Sequence, residues 1–290
     1  MEIARRVGGE IISVDSMQVY RGLDIGTAKP SSAERTSVPH HGVDVVNLDE
    51  SFDAARFVAL ARSAELEIRS RRGVPILCGG TGFYLKALLE GLGQAPPGDQ
   101  TLRSELDQIP LSELLLELER SDPETYAGID RKNRRRVVRA VEVFRLTGHP
   151  LSAQRGRWPN PEPDFARPTL ILGLARTPAD LQARIARRVE AMFEAGLVRE
   201  TEALLGRGLE NNRTAMQAIG YRQVVEFLRG QRGADATKEL VKVRTRQFAK
   251  RQMTWFRHQL PVEWTRVEPD EPPEETAARL ITAWERGRSL

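Results

Sequence analysis

The stretch that most constrains this chain is residues 74–77, Val-Pro-Ile-Leu, followed one residue later by Gly79-Gly80-Thr81-Gly82 and then by a helical pattern reaching Leu92. A continuous apolar run of that length is a strand buried on both faces. Glycines at its end make a tight turn, and a helix after the turn carries the chain back, which is the grammar of a parallel α/β sheet. The same grammar recurs. Residues 11–14 form a short apolar strand closed by Asp15-Ser16, residues 43–46 and 169–175 read as further strands, and 262–267 as the last. Helices are predicted at 2–7, 53–72 and 273–287, and a loop holds Gly22, Gly26 and Pro30.

The alternation breaks at Gln94-Ala95-Pro96-Pro97-Gly98, residues 99–150 are helical in pattern, and four prolines within 158–168 mark a second boundary. The expected organisation is an α/β core in two parts, 1–97 and 166–290, interrupted by a helical insertion at 98–165. A chain of 290 residues can bury a core without staples, and its 40% hydrophobic content with four Trp argues against disorder. No apolar run approaches the roughly 18 residues of a membrane span, and no secretory segment opens the chain. Cys78 is the one cysteine, which excludes an internal disulfide and a Cys-based zinc site. A cytoplasmic protein without a membrane segment is the expectation.

Lys and Arg number 44 against 40 Asp and Glu, and only six of the 44 are lysine. Arginine excess can come from a GC-rich coding sequence, but placement carries more information. Arg131, Lys132, Arg134, Arg135, Arg136 and Arg139 cluster together, residues 242–257 hold a second cluster, and acids gather at 47–53 and 268–275. Segregation of this kind suits a polyanionic partner.

Several residues could carry chemistry. Asp15 follows a buried strand, where open parallel sheets bind their ligands, or it caps a turn. The glycines at 79–82 either admit a phosphate to the backbone or simply make the turn tight. Thr177 and Pro178 open a helix with Leu181, Ile185, Val189 and Met192 as its apolar stripe. On that helix Arg188 lies about 60° from the stripe's centre and Arg187 about 160° away. Arg188 can therefore clamp a phosphate or hold a structural salt bridge, while Arg187 is solvated. Over 133–147, Val137, Ala140, Val141 and Phe144 form a core face, with Arg135 and Arg139 opposite, Arg136 on a flank and Glu142 the single acid; phosphate-backbone binding is the reading. In the helix through 244–257, Val241, Thr245, Phe248, Trp255 and Phe256 share one face and Lys242, Arg246, Lys250 and Arg257 another. Gln252 falls inside the apolar face, where its amide needs partners and so a specific role. The aromatics are core, or they splay an RNA base.

Taken in order, these stretches resemble the tRNA dimethylallyltransferase (isopentenyltransferase) family. The matching segments are Ile11-Ile-Ser-Val-Asp-Ser-Met-Gln-Val-Tyr20, Leu23-Asp-Ile-Gly-Thr-Ala-Lys-Pro30, Pro39-His-His41, Gly79-Gly-Thr-Gly-Phe-Tyr-Leu-Lys-Ala-Leu88, Arg139-Ala-Val-Glu-Val-Phe144, Ala218-Ile-Gly-Tyr-Arg-Gln223 and Thr245-Arg-Gln-Phe-Ala-Lys-Arg-Gln-Met-Thr-Trp255. The resemblance implies a P-loop, nucleotide-kinase-like parallel sheet with an inserted all-helical domain that grips a tRNA anticodon stem-loop. It implies transfer of a dimethylallyl group from dimethylallyl diphosphate to the exocyclic amine of the adenine 3′ of the anticodon, position 37, in tRNAs reading codons that begin with U. Mg²⁺ on the diphosphate and a monomeric state come with it.

Carried over by position, Asp15 is the general base and Arg188 the diphosphate contact. The tRNA contacts implied are Asp15, Ser16, Met17 and Gln18; Thr81 and Arg103; Arg135, Arg136, Val137, Val138 and Arg139; Ala218, Ile219, Gly220, Tyr221, Arg222 and Gln223; and Lys250, Arg251, Gln252, Met253, Thr254, Trp255, Phe256 and Arg257. One departure stands out. The family's diphosphate loop, G-x-x-x-x-G-K-[ST], occurs nowhere in the 290 residues, and Met1 falls within the helix expected to follow it. The expectation is a mis-set start or a truncated sequence, without the first strand, the phosphate cradle, its lysine and its Mg²⁺-binding hydroxyl. Losing one preorganised donor typically costs about 10²–10³ in rate, and this chain would lose several. A sheet without its inner strand is also expected to be less stable. Two other readings compete: a non-catalytic tRNA-binding protein, and a small-molecule P-loop kinase relative, which would explain neither basic helix.

Overall fold

The computed structural model describes residues 1–92, 95–154 and 170–288. The chain forms two compact units, one of residues 1–87 with 168–290 and one of residues 88–167. The expected proline-marked boundary at 158–168 and the Gln94 end of the earlier break lie outside the described residues.

In the first unit, α1 (Glu2–Val7) ends at Gly8, whose φ of 62° lets the chain reverse into β1 (Gly9–Val14). β1 is the middle strand of a parallel three-stranded sheet, ordered β2-β1-β3, with β2 at His40–His41 and β3 at Val74–Gly79. Ile11, Ile12, Ser13 and Val14 are all buried, as a strand covered on both faces requires. β1 pairs with β3 from Gly9 opposite Val74 to Val14 opposite Gly79, so the two strands end together. Between β2 and β3 runs α3 (Ala54–Ser70), started by the Asp53 side chain accepting from the Arg56 N–H. Its Phe57, Ala61, Ala64 and Ile68 follow a helical spacing and are buried.

The expected strand at 43–46 is not there. Only Val46 makes a bridge, an isolated parallel one to Tyr20 outside the sheet. The chain is turned out of an extended path at Asp44, φ 56°, whose carboxylate is drawn to Lys29 and Arg35. The third strand is instead the two residues of β2. A helix that the apolar pattern did not announce, α2 (Ser32–Ser37), is opened by a capping box between Ser31 and Glu34.

α4 (Gly82–Glu90) follows β3 and leads to the second unit. That unit is helical: α5 (Gln100–Leu106), α6 (Leu111–Ser121), α7 (Pro123–Gly128), α8 (Arg134–Thr147) and α9 (Leu151–Gln154). Leu106, Leu114, Leu118, Val137, Ala140 and Val141 form its core. Back in the first unit, β4 (Leu172–Ala175) pairs in parallel with β5 (Glu263–Arg266). Between them lie α10 (Pro178–Glu194), α11 (Leu197–Leu205), α12 (Tyr221–Leu228) and the 26-residue α13 (Ala234–Gln259), and α14 (Pro273–Arg288) packs against α1. No helix among the described residues is long and apolar enough to cross a membrane.

The middle strand of the sheet carries a pH-sensitive contact. The Glu10 carboxylate meets His41 Nε2 at 2.7 Å and Arg71 Nη2 at 3.0 Å. Burial alone would raise its pKa, but the hydrogen bonds from His41 and Arg71 outweigh that and hold it below the ordinary 4.5. A carboxylate depressed in the folded state contributes stability that is present above its unfolded pKa and lost as pH falls through the folded one. Urea unfolding of wild type and Glu10→Gln should therefore differ at neutral pH and converge below the carboxylate range. A difference that stays constant with pH would exclude this contribution.

Candidate active site

Because β1 and β3 end side by side, the turns that leave them meet. The Thr81 N–H donates to the Val14 carbonyl at 3.0 Å, and the Ser16 N–H donates to Thr81 Oγ1 at 3.1 Å. Asp15 folds over this junction as an Asx turn, its Oδ1 accepting from the N–H of Met17 at 2.8 Å and of Gln18 at 3.4 Å. Its other oxygen has no protein partner among the described residues. The Gln18 amide accepts from Ser13 Oγ at 2.9 Å and donates to the carbonyls of Thr27 (3.2 Å) and Ala28 (3.4 Å). Asp15, Ser16, Gln18 and Thr81, scattered over 67 positions by number, are thus one hydrogen-bonded assembly, with Met17 half-buried beside them.

Helix α13 lies across the glycine turn. Gln252 Nε2 donates to the Gly80 carbonyl at 3.0 Å, which is the partner its apolar surroundings demanded. A Cβ on Gly82 would overlap the Trp255 ring, and one on Gly80 the Gln252 amide, so these glycines serve close packing of α13. Trp255 and Phe256 meet edge to face, 5.1 Å between centroids. Lys250, Arg251, Thr254 and Arg257 are exposed and Met253 is half-buried. Two expectations for this helix fail. Lys242 is not part of an open basic stripe, because Glu190 (2.7 Å) and Glu239 (2.6 Å) bracket it. Phe248 is not in the core but 42% exposed.

A cleft of about 450 Å³ opens between the 24–35 segment and α10. Arg188 lines it, exposed and with no ion-pair partner among the described residues, so its structural salt-bridge alternative has no acid to serve it. The opposite wall is built on Lys29. Its side chain is 2% exposed, and its ammonium donates to Tyr20 O (2.8 Å), Asp24 Oδ1 (2.6 Å) and Asp44 Oδ1 (2.6 Å). An ammonium with three donors suits three convergent acceptors, where a planar guanidinium would not. Sequence reasoning assigned Lys29 nothing; the signal was a lysine kept in a chain where arginine is the habit. Glu200 braces the same wall, accepting from the Ile25 N–H at 3.0 Å and from the Tyr221 hydroxyl at 2.6 Å, while Tyr221 accepts from the Gly26 N–H at 3.1 Å. Burial, with Glu200 beside it, pushes the Tyr221 pKa far up and keeps the phenol protonated.

Most side chains of the 218–223 segment are built into the fold. Ala218, Tyr221 and Gln223 are buried, Gln223 accepts from the Gly220 N–H at 2.8 Å, and Ile219 packs on the cluster of Ile185, Val189 and Val241. Of its side chains Arg222 alone is exposed, paired with Glu226 at 3.2 Å.

In the helical unit, Val137 and Val138 point into the core and offer RNA no side chain. Nor is Arg139 on an open face: its Nη1 lies 2.7 Å from Glu142, which is wholly buried and also takes Arg103 at 2.8 Å and the Asp99 N–H at 2.8 Å. The acid expected to dilute a basic surface is instead what anchors one of its arginines, Arg139, together with Arg103 of α5. Arg135 and Arg136 remain on the exposed side of α8.

Comparison with known proteins places this geometry. The IPP transferase family model matches residues 18–259. The chain belongs to that family. It is 42% identical over 264 residues to tRNA dimethylallyltransferase 1 of Citrifermentans bemidjiense, covering 91% of this chain and 86% of that protein. The tRNA dimethylallyltransferase of Geobacter metallireducens is 44% identical over 269 residues, with the same coverage of 91% and 86%. Among solved structures, the tRNA isopentenylpyrophosphate transferase of Bacillus halodurans superposes with a TM-score of 0.70 at 35% identity, covering 98% of this chain and 90% of that one. A eukaryotic dimethylallyltransferase acting on tRNA gives 0.76 at 26% identity, covering 97% and 73%. The mixed α/β architecture with small parallel sheets and many helices is thus a family property.

Gly82→Ala tests the packing that holds α13 in place. The added methyl must displace Trp255, at a cost of about 1–3 kcal/mol, and tryptophan fluorescence should shift with it. An unchanged melting temperature and spectrum would mean that Trp255 does not cover this turn.

Proposed function

We propose that the chain transfers a dimethylallyl group from dimethylallyl diphosphate to the exocyclic amine of adenine 37 in tRNAs that read codons beginning with U, as a cytoplasmic monomer. The observation that carries this reading is Asp15. Two backbone N–H groups fix one carboxylate oxygen and leave the other free, and Gln18 ties the same turn to the cleft that holds Arg188. The amine lone pair attacks the allylic carbon. The bond from that carbon to the diphosphate oxygen breaks, and its electrons leave with the diphosphate. The proton shed by the nitrogen goes to the free oxygen of Asp15.

Arg188, with no carboxylate of its own, is the cation placed to meet the charge that builds on the leaving group. Ile25, Ala28, Pro30 and Met192 supply apolar wall for a five-carbon chain. Lys29 and Arg35 are already neutralised by Asp24 and Asp44, so they build the wall rather than bind the anion. The adenine must leave its stack to reach Asp15, at an unstacking cost of a few kcal/mol. Arg135 and Arg136 in the helical unit would contact the anticodon stem-loop backbone.

The residues do not fit a protein-held Mg²⁺. Among the described residues no three acidic, His or Cys groups converge, and Asp24, the carboxylate of the cleft, is committed to Lys29. Mg²⁺ is proposed to arrive on the diphosphate, as this ion commonly does with phosphate substrates. A second reading is stem-loop binding without transfer.

Single-turnover transfer of labelled dimethylallyl to an anticodon stem-loop RNA decides between them, since binding without transfer by the wild type would establish the second reading. In a transferring enzyme, Asp15→Asn should slow the step by about 10²–10⁴-fold and leave stem-loop affinity unchanged. Undiminished transfer would remove Asp15 as the base. Arg188→Ala should weaken donor binding and transfer far more than Arg187→Ala; equal losses would sink the assignment.

A further inference from the structure

Three contacts fix how α13 runs along the segment that leaves β3. Gln259 accepts from Lys86 at 2.9 Å, Trp255 covers Gly82, and Gln252 reaches Gly80 at 3.0 Å. Stepping back along one face of α13, from 259 to 255 to 252, therefore steps back along the other chain from 86 to 82 to 80. The next residue on that face is Phe248, one turn or about 5.4 Å further on. α4 begins only at Gly82, so it does not reach beneath this turn of α13. Packing on α10 does not cover Phe248 either, because the residues that meet Ile185 and Val189 are Val241 and Ala249. Phe248 is left 42% exposed.

The surroundings are cationic. Arg251, three residues on, places its guanidinium 5.8 Å from the Phe248 centroid, and Arg244 lies one turn back on the same face. From residue 240 to residue 262 there is no acid at all. An exposed ring among guanidinium groups offers a π-face and phosphate contacts together, which is how proteins hold unpaired bases with little regard to sequence.

We infer that Phe248, flanked by Arg251, is a stacking platform for an unpaired base of the RNA substrate. The inference rests on the proposed function, and its occupant is a single-stranded nucleobase: either the target adenine or its neighbour in the loop. The test uses the full chain and anticodon stem-loop RNAs carrying 2-aminopurine at the target position or at the adjacent ones. Binding to wild type should change the fluorescence of the stacked position through the ring. Phe248→Leu, which keeps an apolar side chain of similar size, should abolish that signal and weaken stem-loop binding by about 5- to 150-fold, the range for loss of one stacked base. Phe248→Tyr should retain both. The position whose signal responds identifies the base. A Phe248→Leu protein that binds and reports like wild type, while wild type transfers normally, overturns this inference alone. A wild type that does not bind the stem-loop overturns the proposed function and this inference with it.

Discussion

Everything in the candidate site depends on two parallel strands ending at the same level. With Val14 opposite Gly79, the chain leaves β1 and β3 through turns that must share one small volume. The backbone solves this by sewing them together: Thr81 N–H on the Val14 carbonyl, Ser16 N–H on the Thr81 hydroxyl. That volume then has to be closed from above, and α13 closes it only because positions 80 and 82 lack a Cβ. The glycines are needed less for unusual dihedral angles than for approach: neither Gly80 nor Gly82 has positive φ. The two alternatives open in the sequence, a tight turn or a phosphate cradle, leave out this third use, which concerns a helix some 170 residues further along the chain.

In each unit a buried charge gathers distant segments. Lys29 in the first gathers a carbonyl and two carboxylates, and Glu142 in the second gathers two guanidinium groups and a backbone N–H. A buried ion so surrounded is not a strong source of net stability, because its desolvation offsets much of the attraction. Its effect is directional. Removing a partner leaves a charge that water cannot reach, so the segments carrying the partners are held in one arrangement. For Lys29 those segments are the wall of the Arg188 cleft, and for Glu142 they are the start of α5 and the flank of α8.

How much of this was legible depended on whether the deciding partner was near in sequence. β1 and α3 were readable because burial on both faces, or on one helical stripe, writes a local pattern into the chain. β3 is not covered on both faces, since residues 74–77 are half-buried and Cys78 and Gly79 exposed, but it was readable as a strand from its apolar run. So was the start of α10 at Thr177, and so was the need of Gln252 for a partner, since an amide amid apolar neighbours announces its own cost. β2 was not readable, because two histidines carry no strand pattern. The strand expected at 43–46 had the right apolar residues but is undone by Asp44, whose carboxylate answers to Lys29 and Arg35. The Ser31–Glu34 capping box was a written signal for α2 that an apolar reading passes over.

Phe248 shows the limit most clearly. A helical wheel assigns it to the face of Gln252 and Trp255, and that assignment is right. What the wheel cannot carry is the length of the neighbour: α4 starts at Gly82, one turn too late to cover it. The same limit governs the arginines. In a chain this rich in them, many are explained by a nearby carboxylate, as Arg139 is by Glu142 and Arg222 by Glu226. A cation becomes informative when the fold supplies it none, and that is a property of packing rather than of composition. Arg188 meets that condition on the wall of a cleft, and its reading as an anion contact therefore rests on the missing partner more than on its place along the helix.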